Sequence, residues 1–542
     1  MRHVNDRFLW VDAHCICQDT CGAGDCVPHS SCVEQKATLQ AMDLAYQLSE
    51  HPVALLGRPI TSDEEMSLLA DVLKFRFVQG GDIINLERAL KALALLYRIT
   101  SDLWWTRAWT FQENYRAGKN MTLLIPHKPS LERRKISYRI FGDVPRELCV
   151  RSVRFCEAAS ELCRAAKRYV LEPKLRRRVQ HVLTVAGKYT LLVSFSRSMS
   201  PSIIWDIHAR DIGQIWDRLA IIANCCQYSR RLDIESVQGK NQSLSLSVLA
   251  MYLLNGEIFH NNSRWTSTPL TRGMTVAQYI DAFAFDGFFA PEGQHRLTFN
   301  KGCRFLDVKL NWTGVVTSGH LWRLRRTIHT RDFPSFLPWI ERPNDFLTLE
   351  QQKNLVLLSV ELHAMGENTL ACQLDEYLAQ SDVRPEGLFP QRYMDKMAGE
   401  VAMAIKDGKP LRLGQIWDPY NPRTPCTAIF ISRTNVSTHT HSKGGSKQPC
   451  NSEGTPQQDV HGGFVFTASR PRVFRVDVHD MNDLDHHVSL EVECQLPGRT
   501  SKRLPRLYTK RWILGLCFFK GWPRMHVIFP WPIELLDRDL RA

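Results

Sequence analysis

The sequence lacks a hydrophobic run long enough to cross a membrane. The longest apolar stretch near the C-terminal end, at residues 512–530, is interrupted by Lys520, Pro523 and Arg524, whereas a membrane-spanning helix needs about 20 consecutive apolar residues. The first residues, MRHVNDRFLWVDAHC, contain no secretory hydrophobic segment. We therefore expect no membrane span and a cytoplasmic location, in which the 16 cysteines stay reduced.

Several familiar catalytic and binding motifs are also missing. The chain has no Walker A sequence, no G-x-G-x-x-G fingerprint, no G-x-S-x-G nucleophile and no H-E-x-x-H zinc motif. It shows no zinc-finger, RRM or homeodomain pattern, so we expect no specific binding of nucleic acid. These absences argue against the enzyme and DNA-binding classes that such motifs identify.

The basic charge of the chain is spread over several short segments. The net charge is +13 at pH 7, and the strongest clusters lie at residues 133–135, 174–178, 323–326 and 499–510. One interpretation is that these clusters are solvated faces of a basic protein. The other is a phosphate-bearing partner, that is, a nucleotide, a nucleic acid or an anionic membrane. The charge pattern leaves both interpretations open.

The N-terminal stretch has the pattern of a β-α-β unit. An apolar run at residues 8–11 ends at Asp12, a Cys- and Gly-rich loop follows, residues 34–48 repeat apolar side chains at helical spacing, and residues 53–56 form a second apolar run. Two strands joined in this way by a helix pair in parallel. Ligands of parallel sheets bind outside the carboxyl ends of the strands, where Asp12 and residues 15–19 would lie.

Two blocks of this region resemble the fungal heterokaryon incompatibility (HET) domain. The first is the β-α-β unit with its segment DAHCICQD, and the second is RAWTFQE at residues 107–113. The matching positions are Leu9, Trp10, Asp12, Ala13, Cys15, Ile16, Gln18, Asp19, Met42, Tyr46, Leu56, Gly57, Arg107, Trp109, Gln112 and Glu113. The chain differs at Cys17, where the family usually has Asn, and in the insertion CGAGDCVPHSSC. The resemblance is close over about the first 125 residues, and a weaker one continues in DIGQIWDRLAIIANCCQYSRRL and SLSLSVLAMYLLNGEI.

The resemblance implies a fold and a set of binding residues. HET domains look distantly similar to TIR domains, so the implied fold is α/β with a TIR/flavodoxin-like open parallel sheet. HET-like domains normally begin with one more strand, and only seven residues precede Phe8. We therefore expect the first strand to be missing, either because the chain is N-terminally truncated relative to the family or because the domain is a degenerate copy. The implied ligand-binding residues are Asp12, Cys15, Gln18, Asp19, Arg107, Trp109 and Gln112.

Glu113 is the one candidate catalytic residue. In TIR enzymes a glutamate acts at the ribose of NAD when the nicotinamide bond is cleaved, and Trp109 and Glu113 resemble the W-x-x-x-E spacing of that block. A carboxylate there could stabilise the oxocarbenium-like charge as nicotinamide leaves. The alternative is structural, with Glu113 paired to Arg107 or Arg116 and the tryptophans in the core. NAD is thus a possible substrate, and no cofactor is established.

The loop at residues 15–32 is dense in possible metal ligands. It holds five cysteines and His29, with His14 just before it. Thiolates and imidazoles are the preferred ligands of zinc, but the loop has no paired C-x₂-C knuckles. A zinc site, a redox-sensitive loop and an ordinary Cys-rich insertion all stay open, and we assign no metal site.

The remaining sequence indicates three further parts, in keeping with a length of 542 residues. We expect a partial HET domain at residues 1–125, a basic helical bridge at 126–200, a mainly helical domain at 201–425 and a β-rich domain at 426–542. Predicted helices cover residues 64–77, 82–97, 146–169, 215–226, 244–254, 274–285 and 347–378. Predicted strands cover residues 427–432, 464–468, 473–478, 488–492, 512–519 and 526–529.

The resemblance implies a role in fungal non-self recognition, with the HET domain as the effector of a cell-death response. A protein partner or self-assembly fits such a role, because the basic segments and the tryptophans of the middle region supply surface for contacts. An NAD glycohydrolase that uses Glu113 is the alternative. A third alternative is an inactive, degenerate HET protein.

Overall fold

A computed structural model describes most of the chain. The described residues are 30–169, 172–186, 199–240, 242–261, 275–282, 304–334, 347–379, 389–432, 463–469, 487–497, 503–519 and 521–531. They divide into two compact units. Unit 1 contains the described residues up to Met251 together with Thr275–Ala277, and unit 2 contains the others, from Tyr252 onward. The four-part division expected from the sequence stays a prediction.

Unit 1 is built mainly of helices. Its described helices are α1 (Ser30–Leu48), α2 (Asp63–Leu73), α3 (Leu86–Thr100), α4 (Leu103–Thr106), α5 (Ala108–Ala117), α6 (Glu132–Tyr138), α7 (Ser152–Ala166), α8 (Pro173–Ala186), α9 (Met199–His208), α10 (Asp217–Cys226) and α11 (Ile234–Gly239). Two more, α12 (Leu244–Leu254) and α13 (Val276–Ala282), extend across the boundary in sequence between the units.

Two groups of helices pack within unit 1. Helices α2, α3, α7 and α8 contact one another, and helices α1, α5 and α10 form a second group. Local sequence sets where the helices of the first group begin. The side chain of Ser62 accepts a hydrogen bond from the backbone N–H of Glu65 at the start of α2, and Asn85 accepts one from Arg88 at the start of α3. Both are side-chain N-caps of the kind that stabilise a helix start.

A small mixed sheet accompanies these helices. Strand β1 (Val53–Leu55) is parallel to β4 (Thr122–Pro126), and β4 is antiparallel to β5 (Glu147–Arg151). Strands β2 (Val78–Gln79) and β3 (Asp82–Ile83) form a separate hairpin. The described sheet is therefore only partly parallel, and the predicted strand at residues 8–11 lies outside the described residues.

Unit 2 is organised by one large sheet. The sheet contains β6 (Lys309–Asn311), β7 (Gly314–Ile328), β8 (Leu411–Ile416), β9 (Cys426–Ile431), β10 (Phe464–Ser469), β11 (His487–Gln495), β12 (Arg506–Trp512), β13 (Gly515–Cys517) and β14 (Met525–Pro530). Helices α14 (Leu349–Ala364), α15 (Asn368–Ala379) and α16 (Phe389–Lys406) also belong to this unit. Helix α14 starts at a capping box in which Thr348 and Gln351 exchange hydrogen bonds.

Strand β7 is the centre of this sheet. It pairs with β6, β8, β10 and β14, and β10 also pairs with β11. The pairings β10–β11–β12–β14–β7–β10 thus form a closed ring. Strands β7 and β10 pass so close together at Gly319 that a Cβ atom there would overlap the carbonyl oxygen of Thr467. The adjoining core contains Trp322, Leu324, Ile416, Ala428, Phe430, Val465, Ile513 and Cys517.

Most of the predicted elements are confirmed where the structure describes them. The helices at residues 34–48, 64–77, 82–97, 215–226 and 244–254 and the strands at 53–56, 427–432, 464–468, 488–492 and 526–529 are present with shifted ends. The structure describes a mixed α/β protein with a β-rich C-terminal sheet. Among the described residues, no helix is long and apolar enough to cross a membrane.

Two predictions about single elements were wrong. The helix expected over residues 146–169 is a strand, Glu147–Arg151, followed by helix α7. Leu148 and Val150 are buried and alternate with less buried residues. This alternation is the pattern of a strand, not of a helix. The single strand expected at residues 512–519 consists of the end of β12 and the separate strand β13.

Candidate functional site

The second motif block, RAWTFQE, lies at the junction of helices α4 and α5. Asp102 fixes the start of α4, because its Oδ1 accepts a hydrogen bond from the backbone N–H of Trp104 at 3.0 Å. Its Oδ2 accepts one from the N–H of Gly57 at 2.7 Å. Gly57 ends the first motif block, so this buried carboxylate joins that block to the start of α4, the helix that precedes the second block. Oδ2 of Asp102 also lies 3.5 Å from where a Cβ of residue 57 would be.

Arg107 separates α4 from α5 by its extended backbone. Its φ and ψ are −80° and 143°, and it is both the C-cap of α4 and the N-cap of α5. The backbone around it pairs with residue 211: Ala108 N–H donates to the carbonyl oxygen of Asp211, and Asp211 N–H donates to that of Thr106, each at 2.9 Å. The side chain of Arg107 is exposed. The ligand-binding role that the resemblance implies for Arg107 stays a prediction.

Trp109 in the first turn of α5 contacts a carboxylate of α10. Its indole Nε1 donates to Oδ2 of Asp217 at 3.3 Å. Burial raises the pKa of Asp217 above its ordinary value of 3.8, and the hydrogen bond from Trp109 opposes that shift. Trp109 is half-buried. Its polar edge is occupied by the protein itself.

Gln112 is fully buried one turn further along α5. Its Oε1 accepts a hydrogen bond from Nδ2 of Asn224 on α10 at 3.2 Å. Its own amide nitrogen has no hydrogen-bond partner among the described residues. Asn224 also donates to the carbonyl oxygen of Leu39 on α1, at 3.0 Å. Asn224 thus links α5, α10 and α1, and the ligand-binding role expected of Gln112 stays a prediction.

A buried charge cluster lies next to this link. Arg116 at the end of α5 pairs with Asp43 on α1 at 3.3 Å, and both side chains are less than a tenth exposed. Arg231 donates to Oδ1 of Asn224 at 2.5 Å and to the carbonyl oxygen of Gln40 at 2.8 Å. Desolvation raises the pKa of Asp43, although Arg116 and Arg231 act to lower it. A buried pair of this kind is costly to break from one side.

Glu113 shares a helix face with Trp109. The bounds of α5 confirm that both residues belong to one continuous helix, where positions four apart lie on the same side. The Glu113 side chain is half-buried. Arg116, one of the cations suggested as its partner, is the residue that pairs with Asp43. The role of Glu113 as a catalytic residue stays a prediction.

The remaining candidate residues cannot be placed. Asp12, Cys15, Gln18 and Asp19 lie outside the described residues, as do most ligands of the Cys-rich loop. Within the described part of the chain, no group of three or more His, Cys, Asp or Glu side chains could hold a metal ion.

Sequence reasoning missed the α10 partners of the motif. Arg107 pairs with Asp211, Trp109 with Asp217 and Gln112 with Asn224. Successive residues of the motif thus contact successive positions of the second segment. Asp217, Asn224 and Arg231 all fall within DIGQIWDRLAIIANCCQYSRRL, the segment with a weaker family resemblance. That weak resemblance was the available signal.

Comparison with known proteins shows a family match in the first part of the chain. Residues 1–113 match the family model described as Heterokaryon incompatibility protein (HET). The match ends at Glu113, before the α10 residues that hold the motif helix. The chain matches no curated protein and no solved structure.

Proposed function

We propose a function on the premise that this chain is a HET-domain protein. The protein acts as an effector or signalling module of fungal non-self recognition, in the response that ends in the death of incompatible cells. It works in the cytoplasm through a protein partner or through self-assembly. The proposal includes the fold that the resemblance implies, an N-terminal domain with a TIR/flavodoxin-like open parallel sheet.

The hydrogen bonds of the RAWTFQE motif favour an interaction role. Within RAWTFQE, the backbone at Ala108 is bound to Asp211, the indole N–H of Trp109 to Asp217, and the amide of Gln112 to Asn224. Side chains that complete the core of a domain stabilise its shape and do not need a substrate. A module that signals by contact requires such a stable shape and an accessible surface.

Induced expression of the full chain in a filamentous fungus tests the effector role. The measurement is the fraction of cells that take up a membrane-impermeant dye, with wild type beside Glu113→Gln and the exposed control Glu87→Gln on α3. We expect cell death with all three at equal protein levels. Healthy growth with wild-type protein at a verified level would contradict the effector role.

The second candidate is an NAD glycohydrolase of TIR type. It is favoured by the placement of Glu113 and Trp109, which are half-buried on one face of α5. In that reaction the bond between ribose C1′ and the nicotinamide nitrogen breaks, and nicotinamide leaves with the electron pair. Water then adds to C1′ and loses a proton. The Glu113 carboxylate would stabilise the positive charge that develops on the ribose.

NAD turnover by the purified chain distinguishes the two candidates. Turnover that is present in wild type and in Glu87→Gln but lost in Glu113→Gln would support the enzyme. Cell death without NAD turnover would support the interaction role. In the expression experiment, death that Glu113→Gln abolishes would also favour the enzyme.

A further inference from the structure

A cavity of about 390 Å³ lies between helices α7 and α8 of unit 1. It is lined by Lys167, just after the end of α7, and by Arg176, Arg177, Val179 and Gln180 of α8. Three of these five residues are cations, one is apolar and buried, and one is an amide. The lining therefore combines cationic side chains with a larger apolar surface.

A second cavity of about 340 Å³ continues the first along α8. It shares Lys167 and Gln180 with the first cavity and adds Arg164, Leu183 and Thr184. From residue 176 to residue 184 the α8 helix rises about 12 Å, at about 1.5 Å per residue. We call the two cavities together the basic groove.

The cations of the basic groove are in excess over carboxylates. Residues 164–178 contain seven basic residues and one acidic residue, Glu172. None of the residues given above as lining the two cavities is acidic. Arg168 and Arg178 have other contacts: Arg168 pairs with Asp82 at 3.0 Å, and Arg178 lies 5.6 Å from the ring centre of Tyr97. Arg168 and Arg178 are not among the lining residues named above.

Three of the groove cations lack an ion pair within the described part of the chain. These are Arg164, Lys167 and Arg177. Helix stability explains the first two, because cations near the end of α7 suit its dipole. It does not explain Arg177, the fifth residue of α8, which lies beyond the first turn of that helix. A bound anion would offset the mutual repulsion of the cations that line the groove.

We propose that the basic groove binds a soluble small ligand that carries two or more phosphate groups. The combined cavities have the size of a small-molecule site. Guanidinium groups bind phosphate through two parallel hydrogen bonds, and an ammonium adds a point charge. The cations converge from two helices on a concave space, whereas a membrane or a nucleic acid duplex would contact cations on an extended outer face. Val179 and Leu183 provide apolar surface for the rest of the ligand.

Calorimetric titration of the full chain with sodium tripolyphosphate tests this proposal. The groove variant is Lys167→Gln with Arg177→Gln, and the matched control is Lys128→Gln with Arg133→Gln. The control removes the same charge from exposed side chains elsewhere on unit 1. We expect saturable binding by wild type and by the control, within about twofold of each other. Loss of charge-assisted hydrogen bonds should weaken binding by the groove variant at least about tenfold.

A second variant addresses the case in which the double variant does not fold, as judged by circular dichroism. Gln180→Glu changes one exposed side chain shared by both cavities and places a carboxylate in each. It should also abolish binding. No saturable binding by wild type, or equal weakening in the groove and control variants, would overturn the proposal.

Two further probes separate the ligand classes. Tighter binding to a short DNA duplex, or to vesicles of phosphatidylcholine and phosphatidylserine, than to tripolyphosphate would also overturn the proposal. The proposal is independent of the role in incompatibility, because the titration needs neither cell death nor NAD turnover.

Discussion

Asn224 Nδ2 donates a hydrogen bond to Oε1 of Gln112 at 3.2 Å and so joins helix α10 to the motif helix α5 inside unit 1. The same Asn224 contacts Leu39 on α1 and Arg231. Replacing Asn224 with leucine would leave the amide of Gln112 and the guanidinium of Arg231 with fewer partners in a buried space. The expected loss is about 3 kcal/mol of unfolding free energy.

Urea denaturation measures this loss. The control is Asn120→Leu, an exposed amide in the same unit, and it should change stability by no more than about 0.5 kcal/mol. Equal stability of the two variants would show that the Gln112–Asn224 contact is not important for the fold.

Asp217→Asn is expected to alter the pH dependence of stability. Burial raises the folded-state pKa of Asp217 above 3.8. The protonated Asp217 therefore contributes to folding stability below the unfolded-state pKa. This contribution is lost as the pH rises through the folded-state pKa. The variant cannot ionise, so its stability relative to wild type should increase from pH 3.5 to pH 7.

Unfolding midpoints at several pH values test that change, with the exposed Asp143→Asn as the control. A relative stability of Asp217→Asn that decreases over the same range would mean that the pKa of Asp217 is lowered in the folded state.

His260 in unit 2 should make the protein sensitive to mild acid. Burial lowers the pKa of His260 from 6.5 to about 4. Its contribution to stability is present above the unfolded-state pKa and is lost as the pH falls from 6.5 towards 4. Between pH 7 and pH 5 wild type should therefore lose about 2 kcal/mol more than His260→Gln. Denaturation at both pH values checks this, and the exposed His51→Gln should behave like wild type.

Gly319→Ala is expected to disrupt the sheet of unit 2. The added Cβ would overlap the carbonyl oxygen of Thr467 on β10 and the ring of Phe466. Strands β7 and β10 would have to separate, at a cost of about 2 kcal/mol or more. Thermal unfolding compares this variant with Gly213→Ala, where a Cβ would meet no atom within 4 Å. Equal midpoints would contradict the close approach.

The sequence predicted well those elements whose pattern is local. The amphipathic helix α3 and the apolar helix α12 were predicted because the spacing of apolar residues within a segment indicates a helix. Strand β7, the longest and most connected strand described, was not predicted. It carries buried Thr317, Ser318 and His320, whose polar groups bond to neighbouring segments. These partners lie outside the strand, so the spacing of its own residues does not reveal them.

The same limit applies to the candidate site. The motif contains Arg107, Trp109, Gln112 and Glu113 in one short segment, which forms the N-cap and first turns of α5, and their role as a site stays a prediction. What the motif could not show is that Gln112 is buried and that Trp109 contacts Asp217. Those contacts join residues more than 100 positions apart. No local spacing encodes them.

The central claim of this account is that α10, beyond the matched residues 1–113, holds the motif helix in place. Hydrogen exchange followed by mass spectrometry on the full chain tests it most directly. In Asn224→Leu, amides of residues 108–117 should exchange faster than in wild type and in Asn120→Leu, while strands β7–β9 of unit 2 should be unchanged. Unchanged exchange at residues 108–117 in Asn224→Leu would contradict the claim.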